Sequence, residues 1–233
     1  MDLWLLTRLQ LFNLAYTALS SFTFIIKSMS EHYFSAETQT PAIERTLQVS
    51  ILDTDFQVTT MPGVFSHDGI DKGTAVLLRK APQIPLAAGA KMLDLGCGWG
   101  PISLALAKLY PQAELFSVDV NQRALELCAK NLTHAGFSGT VIAESELYQR
   151  FLTAGSKLDL IWANPPIRIG KTALHQLLLR WLGFLHADGK AYFVVQKNLG
   201  ADSLGKWLTE QGYCIEKIGS AKGFRVLAIS RSK

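Results

Sequence analysis

Cysteine is scarce in this chain, and what there is lies far apart. Only Cys97, Cys128 and Cys214 occur among 233 residues, and no two are close enough for a CxxC pair. An odd, widely spaced set excludes a disulfide framework and argues against a zinc site. The three thiols are therefore expected to be small buried hydrophobes in a reducing, cytoplasmic compartment. His32, His67, His134, His175 and His186 are scattered without HxH or HxxxH spacing, so no metal is expected. No run of five like charges and no basic tail appears, and there is no internal repeat or low-complexity segment. The formal net charge of +4 admits an RNA partner without requiring one.

Charge is also missing from one stretch near the start. Between Arg8 and Lys27 no charged side chain occurs for 18 residues, near the minimum for a membrane span. Gln10, Asn13 and several Ser and Thr leave it only marginally apolar, which argues against a spanning helix. It has neither a basic leader nor a small-residue cleavage site, which argues against a secretory signal. Two readings of residues 1–28 stand: an extension upstream of a working start at Met29, or an amphipathic helix packed on the domain or on a membrane. Residues 29–233 are expected to form one domain.

What is present is an alternation. Residues 46–61 alternate apolar and polar about Asp53-Thr54-Asp55, the pattern of a β-hairpin. A loop follows, then a helix from about Lys72 to Arg79, stopped before Pro82. From Lys91 onward short apolar strands alternate with amphipathic helices, which implies a mostly parallel sheet covered on both faces. The closing stretch from Tyr213 reads as two strands with no helix between them, joined at Gly219–Gly223, so one antiparallel strand is expected. The fold class is thus Rossmann-like α/β: seven strands, helices on both faces, and an N-terminal hairpin.

The first strand of the alternation ends in "LDLGCGWG". Gly96, Gly98 and Gly100 allow a ligand to approach the backbone with no Cβ in the way, at the carboxyl end of a parallel strand where such sheets bind ligands. The dinucleotide pattern needs a third glycine at position 101, and the chain has Pro101. Asp94 before the loop suits a cationic ligand rather than a pyrophosphate. Asp119 ends the next strand, 23 residues after Gly96, where an acid can hydrogen-bond both hydroxyls of a ribose. A ribose, an amino acid and no phosphate together indicate S-adenosyl-L-methionine (SAM).

The third feature is "ANPPIRIGK" at the end of a buried strand. Proline locks φ and drives the preceding residue to extended geometry, so Asn164-Pro165-Pro166 is a stiff turn. Asn164 can offer a side-chain carbonyl and Pro165 a backbone carbonyl. Two fixed acceptors can hold a planar amine, a poor nucleophile because its lone pair is delocalised, and favour its rehybridised form.

"LDLGCGWG" and "VDVN" resemble the first motif and the ribose-binding acid of class I SAM-dependent methyltransferases. With "GVFSHDGIDKGTAVLL" upstream and "ANPPIRIGK" downstream, the chain resembles the methyltransferase small domain family over roughly residues 32–231. That family includes ribosomal RNA small subunit methyltransferase C and single-domain relatives. The resemblance implies cofactor binding by Asp94, Gly96, Cys97, Gly98, Gly100, Asp119, Val120 and Asn164. Glu146 in "SEL" stands where the family often has an aspartate, so it is either the acceptor for the adenine amino group or a surface residue. Catalysis falls to Asn164, Pro165 and Pro166. The aromatic that usually follows the motif is replaced by Ile167, so stacking on the target falls to Phe65 or Ile167. Arg168 and Lys171, with Lys72 and Arg79, are candidates for a basic rim toward phosphates or for plain solvated surface.

The resemblance implies transfer of a methyl to an exocyclic base amine, guanine N2 of 16S ribosomal RNA in the first instance. Its partners would be ribosomal RNA or the small ribosomal subunit, with the enzyme a monomer or homodimer. The alternatives are adenine N6, a protein glutamine, or a non-catalytic RNA-binding assembly factor on the same fold.

Overall fold

A computed structural model describes residues 43–166 and 169–232. The expectations for residues 1–28 lie outside the described residues.

The hairpin consists of β1 (Arg45–Ile51) and β2 (Thr54–Thr60), paired from Arg45↔Thr60 to Ile51↔Thr54. The turn is therefore Leu52-Asp53, one position earlier than the sequence pattern suggested. Both turn residues have positive φ (52° and 58°), the geometry whose twist matches the flanking strands. A leucine there costs about 1–2 kcal/mol. Lys108 holds the turn by donating from Nζ to the Leu52 carbonyl at 2.6 Å and to Thr54 Oγ1. This register puts Ile51, Phe56, Val58 and Thr60 against the core.

After the hairpin comes α1 (Lys72–Lys80), capped by Asp71, and then the alternation begins. β3 (Lys91–Leu95), α2 (Pro101–Leu109), β4 (Glu114–Asp119) and α3 (Gln122–His134) lead to β5 (Thr140–Ala143). The strand expected to run on through Glu144 and Ser145 stops at Ala143, because pairing with β4 ends at Asp119↔Ala143. Helix α4 (Glu144–Ala154) starts at once. β6 (Leu158–Ala163), α5 (Lys171–Leu182), β7 (Leu185–Gln196), α6 (Ala201–Glu210), β8 (Tyr213–Ala221) and β9 (Phe224–Arg231) complete the chain.

The strand order is β5-β4-β3-β6-β7-β9-β8. All neighbours are parallel except β7–β9 and β8–β9, so β9 alone runs against the rest. It can do so because β8 and β9 are joined by Lys222-Gly223, both at positive φ, instead of by a helix.

Because side chains alternate along a strand, the sheet has two separate cores. Met92, Leu160, Trp162, Tyr192, Val194 and Val226 face α1, α2, α3 and the hairpin. Leu93, Leu95, Ile161, Phe193, Val195 and Ile229 face α4, α5 and α6. Cys97 and Cys128 are buried as expected, but Cys214 is exposed. It sits on β8, the edge strand, which has a strand neighbour on one side only among the described residues.

The chain order reverses at β3: β4 lies to one side and β6 to the other. A crevice opens outside the carboxyl ends of the strands at such a point. The glycine loop leaves β3 there, Asp119 ends β4 there, and Asn164 follows β6 there.

Candidate active site

The glycine loop folds back on β4. Gly96 N–H and Cys97 N–H both donate to the Val118 carbonyl at 2.9 Å. Gly98 N–H donates to Asp119 Oδ2 at 2.9 Å, and Asn121 N–H to Asp119 Oδ1 at 2.9 Å. Asp119 thus braces the loop and the start of α3 while keeping acceptor capacity on each oxygen. Burial raises its carboxyl above the usual range, against the pull of those N–H donors. Val120 beside it is exposed.

The three loop glycines serve different purposes. Gly96 (φ +82°) would place a Cβ in open space, and Gly98 (φ +54°) would bring one within 4.0 Å of the Phe65 carbonyl only. Space above the backbone is what a close-bound ligand needs. Gly100 (φ +99°) is different: a Cβ there would lie 3.1 Å from Cys128 Sγ. Its glycine is required by the contact between α2 and α3, independently of any ligand.

Asp94 is fully buried in β3. Its Oδ2 accepts from Ser103 Oγ at 2.6 Å, and Ser103 is linked to Ser117 at 2.8 Å. Oδ1 has no partner. Burial pushes the carboxyl up to about 7, the Ser103 hydrogen bond opposes this, and the Asp119 charge adds to it. A buried carboxylate oxygen with no donor is costly, and an ammonium group would supply the missing donor. The open glycines and this orphaned oxygen fit the amino-acid end of SAM. The Cys97 thiol is hydrogen-bonded to Cys128, buried, and held well above its ordinary pKa, so it is no nucleophile.

One pocket brings together Gly96, Cys97, Gly98, Phe65, Asp71 and Asn164. One wall is the segment 62–71, fastened to the start of α3, to the glycine loop and to the end of β2. Asn121 Nδ2 donates to the Gly63 carbonyl at 2.9 Å, Trp99 Nε1 to the Ser66 carbonyl at 3.1 Å, and Thr60 Oγ1 to the His67 carbonyl at 2.7 Å. Phe65 remains 65% exposed within this anchored segment. Asn131, buried in α3, accepts from Thr59 N–H (2.7 Å) and donates to the carbonyls of Thr59 (2.9 Å) and Trp99 (2.8 Å). It ties the hairpin to the glycine loop.

Asn164 emerges from β6 into this pocket. Its Nδ2 donates to Asp71 Oδ2 at 2.9 Å and to Thr74 Oγ1 at 3.1 Å. Its Oδ1 takes no hydrogen bond from the described residues. Pro165 is buried and Pro166 exposed; the Pro166 carbonyl accepts from Ile169 N–H at 3.2 Å. Ile167 and Arg168 lie outside the described residues.

The remaining candidates are spread out. Glu146 is exposed on the first turn of α4 and paired with Arg150 at 2.6 Å. The buried acid of that turn is Glu144, held by Arg180 and by Trp181 Nε1 (2.8 Å). Lys171 and Lys72 are exposed at the starts of α5 and α1. Arg79 is seven residues further along α1, roughly 10 Å away at 1.5 Å per residue, at the end remote from Asn164.

Sequence reasoning missed Asp71, Thr74, Trp99, Asn121 and Asn131. Asp71 and Asn121 stand at helix N-cap positions, a local signal open to a reader of the sequence. Nothing local links Asp71 to Asn164, 93 residues away. Among the described residues no group of three or more His, Cys, Asp or Glu could hold a metal ion. No helix among them is long and apolar enough to cross a membrane.

Comparison with known proteins adds the following. The family model described as "Methyltransferase small domain" matches residues 55–228. Uncharacterized protein YbxB of Bacillus subtilis is 32% identical over 199 residues, covering 85% of this chain and 98% of that protein. Ribosomal RNA small subunit methyltransferase C of Pseudomonas aeruginosa is 31% identical over 201 residues, covering 84% of this chain but only 58% of that longer protein. Among solved structures, a T. thermophilus 16S rRNA N2 methyltransferase in complex with AdoMet and guanosine superposes with a TM-score of 0.69. It is 24% identical and covers 83% of this chain and 52% of that one. At that identity it speaks to the fold.

Proposed function

Because the chain belongs to the methyltransferase small domain family and is a SAM-dependent methyltransferase, we propose that it methylates an exocyclic base amine of ribosomal RNA, guanine N2 of 16S rRNA. The observation that carries this reading is that Asn164 lines the same pocket as Gly96, Cys97 and Gly98. A curated relative named for small-subunit rRNA methylation supports the RNA class.

Bound SAM supplies an electrophilic methyl group on a sulfonium. The chain then has to present a nucleophile in line, with reacting atoms about 3–3.5 Å apart. Asn164 Oδ1 and the Pro165 carbonyl accept from the two N–H groups of the amine, holding it in place. They favour the rehybridised nitrogen as its lone pair turns to the methyl. No strong base is needed, since the proton leaves after the nitrogen becomes cationic. Phe65, anchored through its neighbours yet exposed, offers a ring face on which a flipped base stacks. Asp94 receives the cationic amino-acid end of the cofactor and Asp119 the ribose.

The test is mass spectrometry of rRNA nucleosides from cells with and without the gene. Loss of an N2-methylguanosine from 16S rRNA is the expected result. An unchanged nucleoside profile, or loss of a methyl from adenine N6 instead, would overturn the substrate assignment. In vitro, Asn164→Ala should bind SAM normally and transfer methyl orders of magnitude more slowly; comparable activity would remove Asn164 from the chemistry.

A further inference from the structure

We propose that Asp71 is the positioning residue that makes the site selective for an amine, by fixing which end of the Asn164 amide faces the substrate. This rests on the reading that Asn164 binds the amine.

A side-chain amide has a donor end and an acceptor end of nearly equal size, and only its surroundings decide which points where. Here Nδ2 is 2.9 Å from Asp71 Oδ2 and 3.1 Å from Thr74 Oγ1. Rotating the amide by half a turn would set Oδ1 against the carboxylate oxygen, two acceptors with no proton between them. The acceptor end is therefore committed to the pocket. It can hold an N–H donor and reject a group that only accepts.

Asp71 is itself fixed. The same Oδ2 takes Gly73 N–H at 2.7 Å and Thr74 N–H at 3.2 Å, capping α1. Position 73 has to be glycine for this arrangement, since a Cβ there would lie 2.8 Å from Asp71 Oδ2 and 2.9 Å from the Phe224 ring. Helix α1 thus aims the carboxylate, the carboxylate aims the amide, and the amide aims its oxygen. Hydrogen bonds in such a chain polarise one another, so Asp71 also makes Oδ1 a stronger acceptor as the substrate nitrogen gains positive charge.

The test separates capping from positioning. Asp71→Ser keeps a good N-cap but ends one bond short of Asn164. Asp71→Asn keeps both the cap and an acceptor. With small ribosomal subunits from cells lacking the gene and radiolabelled SAM, Asp71→Ser should lower kcat roughly 10- to 100-fold, as expected for a misplaced reacting group. SAM affinity and thermal stability should stay at wild-type levels, and Asp71→Asn should recover most of the rate. Asn164→Asp should be inactive because two carboxylates then meet. Wild-type kcat in Asp71→Ser would overturn the proposal. Full activity in Asn164→Ala would instead overturn the reading beneath it. A measurement independent of substrate is hydrogen exchange of the Asn164 side-chain amide in protein labelled with [15N]asparagine. It should be slow in the wild type and fast in Asp71→Ser; equal rates would overturn the proposal.

Discussion

Lowering the pH from 7.5 to 5.5 is expected to loosen SAM through one residue, Asp94. Burial drives its carboxyl up to about 7, a Ser103 hydrogen bond opposing and the Asp119 charge reinforcing the shift. If the cofactor's ammonium pairs with the orphaned Oδ1, only the ionised carboxylate binds it. Each unit of pH below the pKa then removes up to about 1.4 kcal/mol of binding. The ionised fraction falls from about three-quarters at pH 7.5 to about 3% at pH 5.5, so Kd should rise about 25-fold. Calorimetric titration in two buffers of different ionisation enthalpy should detect about 0.9 proton released per SAM bound at pH 6. The window stops at 7.5 because an α-amino group begins to lose its own proton near 8.

Asp119 is raised in the same direction, so Asp94→Asn is the necessary control: weaker binding with a nearly flat pH profile. A wild-type Kd constant from pH 5.5 to 7.5, with no proton release, would refute the pairing. The ligand-free protein should respond in the opposite sense. A carboxyl whose folded pKa lies above its unfolded value contributes stability that is complete below about 4 and lost as pH rises through about 7. For Asp94 that loss is roughly 4 kcal/mol, readable by urea denaturation.

Three further outcomes are expected. Asn131→Ala removes three hydrogen bonds and leaves buried groups of Thr59 and Trp99 unpaired. It should cost about 3 kcal/mol by denaturant titration; a loss below about 1 would mean the hairpin is held otherwise. Gly100→Ala combines φ +99° with a Cβ 3.1 Å from Cys128 Sγ and should cost about 2–3 kcal/mol. Adding Cys128→Ala should recover only the share due to Sγ, because the Cys128 Cα stays 3.3 Å from the new Cβ. Phe65→Ala should leave the melting temperature and SAM Kd unchanged, since the ring is 65% exposed, while raising KM for the RNA substrate sharply; an unchanged KM would remove Phe65 from substrate stacking.

The sequence by itself determined the sheet, the helix order and which strand ends carry the glycine loop, Asp119 and Asn164. Period-two strands and periodic helices depend on which face of each element is apolar, a property that neighbouring residues carry. Gly96, Gly98 and Asp119 were legible because a glycine loop and an acid at strand ends are local devices in a parallel sheet. Asn164 was legible because two prolines stiffen whatever precedes them. Turn and strand ends were less so: Leu52-Asp53, not the Asp-Thr-Asp run, makes the hairpin turn because pairing across the strands sets the register. The exposure of Cys214 likewise followed from β8 lying at the sheet edge.

Only the tertiary structure could divide the labour among residues that look alike in sequence. It gave Gly100 to helix packing and Gly96 to open space. It left Glu146 on the surface and buried Glu144. It also placed Asp71 against Asn164 across 93 positions of chain. Such contacts are decided by which elements the sheet brings side by side, and a one-dimensional pattern holds no record of that adjacency.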